Sequence, residues 1–286
     1  MPKKALILAV LLIWILIGNV YADGKTQVTV SILPQKNFVE KIAGGLVDVQ
    51  AMVPPGASPA VYEPKPSQMA RLSRSKVYFA IGVPFEKTWL GKFAHVNGSM
   101  SVVRTDEGIE KNPMEDHHHH GSKGALDPHV WLSPRLVKKQ VAIIRDALIR
   151  IDGANEQTYR TNYEKFIREI DRLDADIKEI LKGVDNRSFM VFHPTWGYFA
   201  RDYGLTQVPI EIEGKEPKPA QLKEIIKTAR AKNIGVVFVQ PQFSMRSARV
   251  IADEIGAKLV ELDPLAENWK ENLLEAANTL KEELAE

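Results

Sequence analysis

Short apolar runs alternate with stretches of helical spacing along the first half of the chain. Runs rich in β-branched and aromatic residues predict strands at 28–33, 49–53 and 77–81. Helices are predicted in three places: after the first strand through Ile42, from Pro66 through Leu72, and from Pro134 to about Ile151. The polar stretch 105–127 shows neither period and is predicted to be a loop.

The second half repeats this alternation. Strands are predicted at 189–192, 208–212, 236–239 and 258–262. Helices are predicted at 195–203, 220–232, 244–255 and from 268 to the end. Repeated strand–helix units favour parallel sheets flanked by helices, so the pattern predicts an α/β fold with one such layer in each half.

The segment between the halves has a different pattern. Its apolar residues recur every three or four positions and share one helix face: Tyr159, Tyr163, Phe166, Ile170, Leu173, Ile177 and Ile180. A helix of about 27 residues is roughly 40 Å long. An ordinary surface helix would show the same pattern, but the central position favours one rigid helix that joins two lobes. We therefore expect an N-terminal lobe at 23–153, a linking helix at 154–182 and a C-terminal lobe at 183–286.

The first 22 residues have the pattern of a secretory signal peptide. Lys3 and Lys4 precede the apolar run 5–17, and small residues end at Ala22. The alternative is an uncleaved membrane anchor, but about 13 apolar residues are short for the ~20 that span a bilayer. The sequence predicts cleavage after Ala22 and a periplasmic protein, with no lipid anchor because there is no cysteine to carry one.

Composition excludes several classes of function. The chain has 286 residues, with 38 basic against 36 acidic side chains and a formal charge of +2. Proteins that bind nucleic acid through its phosphates carry a concentrated basic excess, which this chain lacks. With no cysteine, disulfides, thiolate metal sites and cysteine nucleophiles are excluded as well.

Three residues are candidate metal ligands. His193 and Asp263 each directly follow a predicted strand, and His129 stands just before a predicted helix. In open α/β sheets, ligands bind beyond the carboxyl ends of the strands. Imidazole and carboxylate suit divalent ions such as zinc, manganese or iron, and Asp127 is placed to orient the His129 ring. Each of these residues alone also fits a purely structural role.

Four consecutive histidines, His117, His118, His119 and His120, lie in the polar loop at 115–126. Adjacent histidines do not form one rigid site, but they hold transition metals weakly and exchange them. An engineered tag is the alternative, and the internal position of the tract argues against it. The tract is a candidate auxiliary metal site.

The chain resembles the zinc- and manganese-type substrate-binding proteins of bacterial metal ABC importers, the helical-backbone cluster A-I. Six stretches carry the resemblance: 55–64 (PGASPAVYEP), 127–134 (DPHVWLSP), 192–198 (FHPTWGY), 213–217 (EGKEP), 238–244 (FVQPQFS) and 262–265 (LDPL). The resemblance covers the whole chain after the signal peptide. It implies two α/β lobes joined by one long helix, with the metal held by His129, His193 and Asp263.

One departure from the family pattern affects the metal site. The family usually has a histidine ligand where this sequence has Ala60, which cannot coordinate a metal. A water or anion, a histidine of the tract or nearby Glu63 is each a candidate for the vacant position. Gln240 stands where the family commonly has glutamate, and a strand-end hydrogen-bonding role is its plainer interpretation.

The resemblance implies a protein that captures Zn²⁺ and delivers it to an ABC permease, as a monomer and without catalysis. Mn²⁺ or Fe²⁺ is the first alternative, because two nitrogens and one carboxylate suit those ions too. A secreted zinc hydrolase is the second, although the sequence contains no His-Glu-x-x-His motif. A metal buffer or adhesin also stays open, and His95 is assigned no role.

Overall fold

The computed structural model describes residues 24–114, 126–212 and 214–284. The predicted signal peptide and the histidine tract lie outside these ranges. None of the helices within them is long and apolar enough to cross a bilayer.

The N-terminal lobe is built on a four-stranded parallel sheet. Its strands are β1 (Thr26–Val30), β2 (Val47–Ala51), β3 (Val77–Ala80) and β4 (Ser101–Arg104), in the order β2-β1-β3-β4. The helices among them are α1 (Leu33–Ala43), α2 (Pro66–Leu72) and α3 (Pro84–Val96). The apolar pattern does not predict α3 or β4. The strand β4 lies at the edge of its sheet and has no buried residue.

Two long helices follow this sheet. The first is α4 (Pro134–Ile151), where Pro134 occupies the first turn and the Ser133 hydroxyl accepts a hydrogen bond from the Leu136 amide at 3.2 Å. This side-chain cap satisfies one of the free amides at the helix start. The second is α5 (Glu156–Ile180), the long helix predicted between the lobes.

The C-terminal lobe repeats the N-terminal architecture. Its strands are β5 (Ser188–Val191), β6 (Thr206–Pro209), β7 (Val236–Val239) and β8 (Lys258–Glu261), all parallel, in the order β6-β5-β7-β8. Its helices are α6 (Gly197–Tyr203), α7 (Pro219–Ala231), α8 (Arg246–Ile255) and α9 (Trp269–Leu284). The predicted α/β fold, with two helix-flanked parallel sheets and a long helix between them, is confirmed.

One hydrophobic core runs through both lobes. Buried side chains from the first sheet, from α1, α4 and α5, and from β5, β7 and α9 form one contiguous cluster. At its centre the ring of Trp269 packs edge-on against Phe38 at 5.1 Å and against Phe166 at 6.3 Å. These three rings come from α9, α1 and α5, so the long helix is packed against both lobes along its apolar face.

Candidate metal-binding site

A cavity of about 90 Å³ lies between the lobes, at the carboxyl ends of the strands. The N-terminal lobe contributes Ser58, Pro59, Ala60, Val83, Pro84, Met114, Pro128, His129 and Trp131. The C-terminal lobe contributes His193, Thr195, Gln242, Phe243, Pro264 and Leu265. In both sheets the strand order changes direction between the first and third strands along the chain. Open α/β sheets bind ligands at such a topological switch point.

His129 is held by Asp127. The His129 amide donates to Asp127 Oδ1 at 2.9 Å, and the ring Nδ1 donates to the same oxygen at 2.7 Å. Because a carboxylate only accepts, this bond puts the proton on Nδ1 and leaves Nε2 as the free nitrogen. The predicted orienting role of Asp127 agrees with this geometry.

The surroundings of His129 favour its neutral form. Burial lowers the pKa of the His129 imidazole below its usual value, and the charge of His193 acts in the same direction. Asp127 opposes both by stabilising the imidazolium, but burial prevails. A metal binds neutral imidazole, so this environment favours coordination.

His193 is held in the same way by a different carboxylate. It stands two residues after the end of β5, and its Nδ1 donates to Glu211 Oε1 at 2.7 Å. Glu211 is buried just beyond the end of β6, and its second carboxylate oxygen has no hydrogen-bond partner among the described residues. The second histidine therefore also keeps Nε2 free.

Gln240 fixes the backbone of His193. Its Nε2 donates to the His193 carbonyl at 2.7 Å and to Thr195 Oγ1 at 3.3 Å, while its Oε1 accepts from the His193 amide at 3.3 Å. Gln240 directly follows β7, the strand next to β5. Gln240 therefore has the hydrogen-bonding role at a strand end that the sequence analysis gives as its plainer interpretation.

The two histidines face each other across the lobes. Their ring centroids are 5.3 Å apart, with the planes inclined by 75°. Each ring also has an aromatic neighbour, Trp131 at 5.1 Å from His129 and Phe243 at 5.0 Å from His193. Two imidazoles with fixed tautomers and free Nε2 atoms thus meet in one small cavity.

Asp263 is not among the described residues that line the cavity. It directly precedes two residues that line the cavity, but its Oδ1 accepts from Gln242 Nε2 at 2.7 Å and from the Leu265 amide at 2.9 Å. Across the described ranges, no three His, Asp or Glu side chains are grouped closely enough to hold a metal ion. The structure therefore brings His129 and His193 together and leaves Asp263 engaged with Gln242.

The other candidate residues are placed differently. Ala60 lines the cavity wall, whereas Glu63 is exposed and is not among the described residues that line it. His95 is exposed in the last turn of α3. The tract His117–His120 lies outside the described residues.

Glu211 is the site residue that the sequence analysis missed. It lies near the end of a predicted strand, in the same position relative to β6 that His193 has relative to β5. A search for carboxylates at every strand end would have found it. Its interaction with His193 depends on the pairing of β5 with β6, which sequence spacing does not reveal.

Proteins of known sequence and structure share this architecture. The chain is 29% identical to the high-affinity zinc uptake system protein ZnuA of Bacillus subtilis over 252 residues, which is 84% of this chain and 79% of that protein. It is 28% identical over 279 residues to the zinc-binding lipoprotein AdcA of Streptococcus pneumoniae, covering 93% of this chain but only 56% of AdcA. This chain therefore spans about half the length of AdcA.

Solved structures agree with the sequence comparisons. A crystal structure of ZnuA superposes with a TM-score of 0.86 at 43% identity and covers 91% of this chain and 99% of that one. A zinc-bound ZnuA with residues 138–173 of its own sequence deleted gives the same TM-score at 42% identity, covering 92% of this chain and 99% of that one. The Mn²⁺ complex of FpvC from Pseudomonas aeruginosa, at 22% identity, shares the fold with a TM-score of 0.79 and coverage of 91% and 99%.

The family model described as "ZnuA: Zinc-uptake complex component A periplasmic" matches residues 28–283. That match spans both sheets, the long helix and the cavity with His129 and His193. The chain belongs to this family of periplasmic zinc-uptake components.

Proposed function

We propose that this protein captures Zn²⁺ in the interlobe cavity and delivers it to the membrane permease of an ABC importer. The observation that carries the proposal is the pair His129 and His193, 5.3 Å apart, each with Nδ1 bonded to a buried carboxylate. Histidines that ligate metals usually donate their second nitrogen in this way, which fixes the ring and raises its basicity. The match to the zinc-uptake family model, and the relatives that are named as zinc-uptake or zinc-binding proteins, support the same conclusion.

Asp263 completes the proposed ligand set. Its carboxylate is linked to the cavity by one hydrogen bond, because Gln242 lines the cavity and donates to Asp263 Oδ1. Exchange of this bond for a metal bond would bring a third ligand to the ion. Two nitrogens and one oxygen suit zinc, which commonly takes histidine and carboxylate ligands.

The proposed mechanism is binding and release without turnover. The cavity is enclosed mainly by apolar side chains, and both buried carboxylates near it are committed to the histidines. A zinc hydrolase needs a general base beside its metal-bound water, whereas each of these carboxylates holds a histidine ring. We propose a monomer that works in the periplasm, with the tract His117–His120 as an auxiliary site that gathers metal.

Calorimetry at buffered free Zn²⁺ tests the ligand assignment. The variants H129A and H193A each remove one proposed ligand, and H95A removes an exposed histidine on α3 as the matched control. We expect each ligand variant to bind Zn²⁺ at least about 100-fold more weakly, since loss of an outer-sphere partner alone costs 10- to 100-fold. H95A should bind like the parent. Unchanged affinity in H193A would refute the site.

The choice of metal has its own test. Mn²⁺ and Fe²⁺ prefer oxygen-rich ligand sets more than Zn²⁺ does, whereas this cavity presents two imidazoles. Competition between Zn²⁺ and Mn²⁺ for the same protein should favour Zn²⁺. A preference for Mn²⁺ would leave the proposed transport function in place and make Mn²⁺ the transported ion.

A further inference from the structure

Tyr198, in the first turn of α6, reaches across to the part of the N-terminal lobe that carries His129. Its hydroxyl donates to the Asp127 carbonyl at 3.0 Å and accepts from the Asn112 amide at 3.0 Å. The Asp127 amide in turn donates to the Asn112 carbonyl at 2.8 Å. One buried hydroxyl of the C-terminal lobe therefore bridges two backbone segments of the N-terminal lobe.

The carboxylate of Asp127 lies against the same turn of α6. Asp127 is buried, and a Cβ added to Gly197 would stand 3.1 Å from its Oδ2, closer than ordinary van der Waals contact. Only a residue without a side chain allows this approach at no cost. The other oxygen, Oδ1, accepts from the ring and the amide of His129. Two consecutive residues of the opposite lobe thus lie against Asp127, which sets the His129 tautomer.

The Tyr198 hydroxyl keeps its proton at neutral pH. Burial raises the pKa of this phenol to about 12, and the charge of Asp127 acts in the same direction, while the bond from the Asn112 amide opposes both. The phenol therefore stays a donor to the Asp127 carbonyl. The Arg201 guanidinium lies over the Tyr198 ring, 5.0 Å from its centroid. A phenylalanine would keep that ring contact and lose only the two hydrogen bonds.

We propose that Tyr198 is a positioning residue of the metal site, because its hydroxyl fixes Asp127 and Asp127 orients the ring of His129. This inference rests on the proposed function and adds a residue that does not touch the metal. The segment 193–198 also carries His193. It therefore supplies the proposed ligand of its own lobe and holds the proposed ligand of the other lobe in place. An ion that enters the cavity meets a ring that is already oriented, which lowers the cost of ordering it on binding.

The test measures the Zn²⁺ affinity of Y198F by calorimetry at buffered free metal. Loss of the hydroxyl should weaken Zn²⁺ binding by about tenfold, the lower end of the 10- to 100-fold loss for residues that act on a ligand from outside the coordination sphere. Y203F is the matched control, because the Tyr203 hydroxyl lies on the same helix and donates instead to Asp174 at 3.0 Å. Y203F should bind Zn²⁺ like the parent.

A second background separates positioning from a general loss of stability. In D127A the carboxylate is absent, so a further loss of the Tyr198 hydroxyl should change Zn²⁺ affinity by less than about twofold, since residues that act through one interaction are not additive. A purely structural effect of Y198F would weaken binding equally in both backgrounds. Circular dichroism spectra check that Y198F, Y203F and D127A are folded.

Three results would overturn the inference. The first is an unchanged Zn²⁺ affinity in Y198F, and the second is an equal effect of Y198F in the D127A background. The third is a loss in Y203F as large as that in Y198F. Each of them leaves the proposed function standing, because the parent protein still binds Zn²⁺. Failure of the parent to bind Zn²⁺ would instead remove the proposed function.

Discussion

The indole Nε1 of Trp269 donates a hydrogen bond to the backbone carbonyl of Trp131 at 2.6 Å, and this bond joins the two lobes directly beside the cavity. The indole of Trp131 in turn donates to the carbonyl of Pro264 at 2.7 Å. Trp131 lies two residues after His129, and Pro264 directly follows Asp263. These two bonds tie the proposed ligands of the two lobes into one arrangement.

The variant W269F keeps an aromatic ring but leaves the Trp131 carbonyl without its donor. An unpaired buried polar group costs about 1–3 kcal/mol, so we expect the free energy of unfolding in urea to fall by that amount. W89F, at a half-buried position on α3, is the matched control and should change stability less. Equal stability of W269F and the parent would show that this bond contributes nothing.

The lowered pKa of His129 predicts the pH dependence of apo-protein stability. Burial lowers the pKa in the folded state, so between that pKa and the unfolded value near 6.5 the unfolded chain binds more protons. Stability then rises with pH in this window and is lost as the pH falls below about 6.5. The contribution to the slope is at most about 1.4 kcal/mol per pH unit for one proton. We expect the stability of H129Q to depend less on pH than that of the parent. The control H95Q should show the same pH dependence as the parent.

The carboxylates that hold the two histidines should affect zinc affinity without touching the metal. D127N and E211Q each replace an anionic acceptor with a neutral amide, and we expect each to weaken Zn²⁺ binding about 10- to 100-fold. E63Q is the matched control, since Glu63 is exposed and lies outside the described lining of the cavity. A loss in E63Q as large as that in E211Q would make Glu63 a ligand instead.

Gln242 donates a hydrogen bond to Asp263, the residue that we propose as the third ligand. The variant Q242A removes the side-chain donor to Asp263 Oδ1 and keeps the bond from the Leu265 amide, so the carboxylate is held less firmly. We expect tighter Zn²⁺ binding by up to about tenfold, because a hydrogen bond to a charged group contributes about 1.5–3 kcal/mol and part of that is returned by water. D263N should weaken binding. Weaker binding in Q242A would indicate that Gln242 positions Asp263 instead of restraining it.

The fold could be predicted from the sequence wherever burial was strong. The strand Val236–Val239 is predicted to the residue, because all four side chains are buried and the run is continuously apolar. The first strand ends three residues earlier than the predicted 28–33, because Leu33 and Pro34 begin α1 and the apolar run simply continues into that helix. The strand β4 gave no signal, since its side chains are mostly exposed at the sheet edge.

The site could be predicted only in part. Strand-end positions and the family resemblance point to His129 and His193, and the structure brings both into one cavity. The roles of Glu211 and Gln242 depend on which strands lie side by side, and that is long-range information absent from local spacing. The assignment of Asp263 as a ligand stays a prediction, because its oxygen is bonded to Gln242.

The shared hydrophobic core has a consequence for metal release. Since one buried cluster contains side chains from both lobes and the long helix, a wide separation of the lobes would expose part of that core to water. We therefore expect metal exchange to proceed by small local movements at the cavity mouth, with the shared core kept intact.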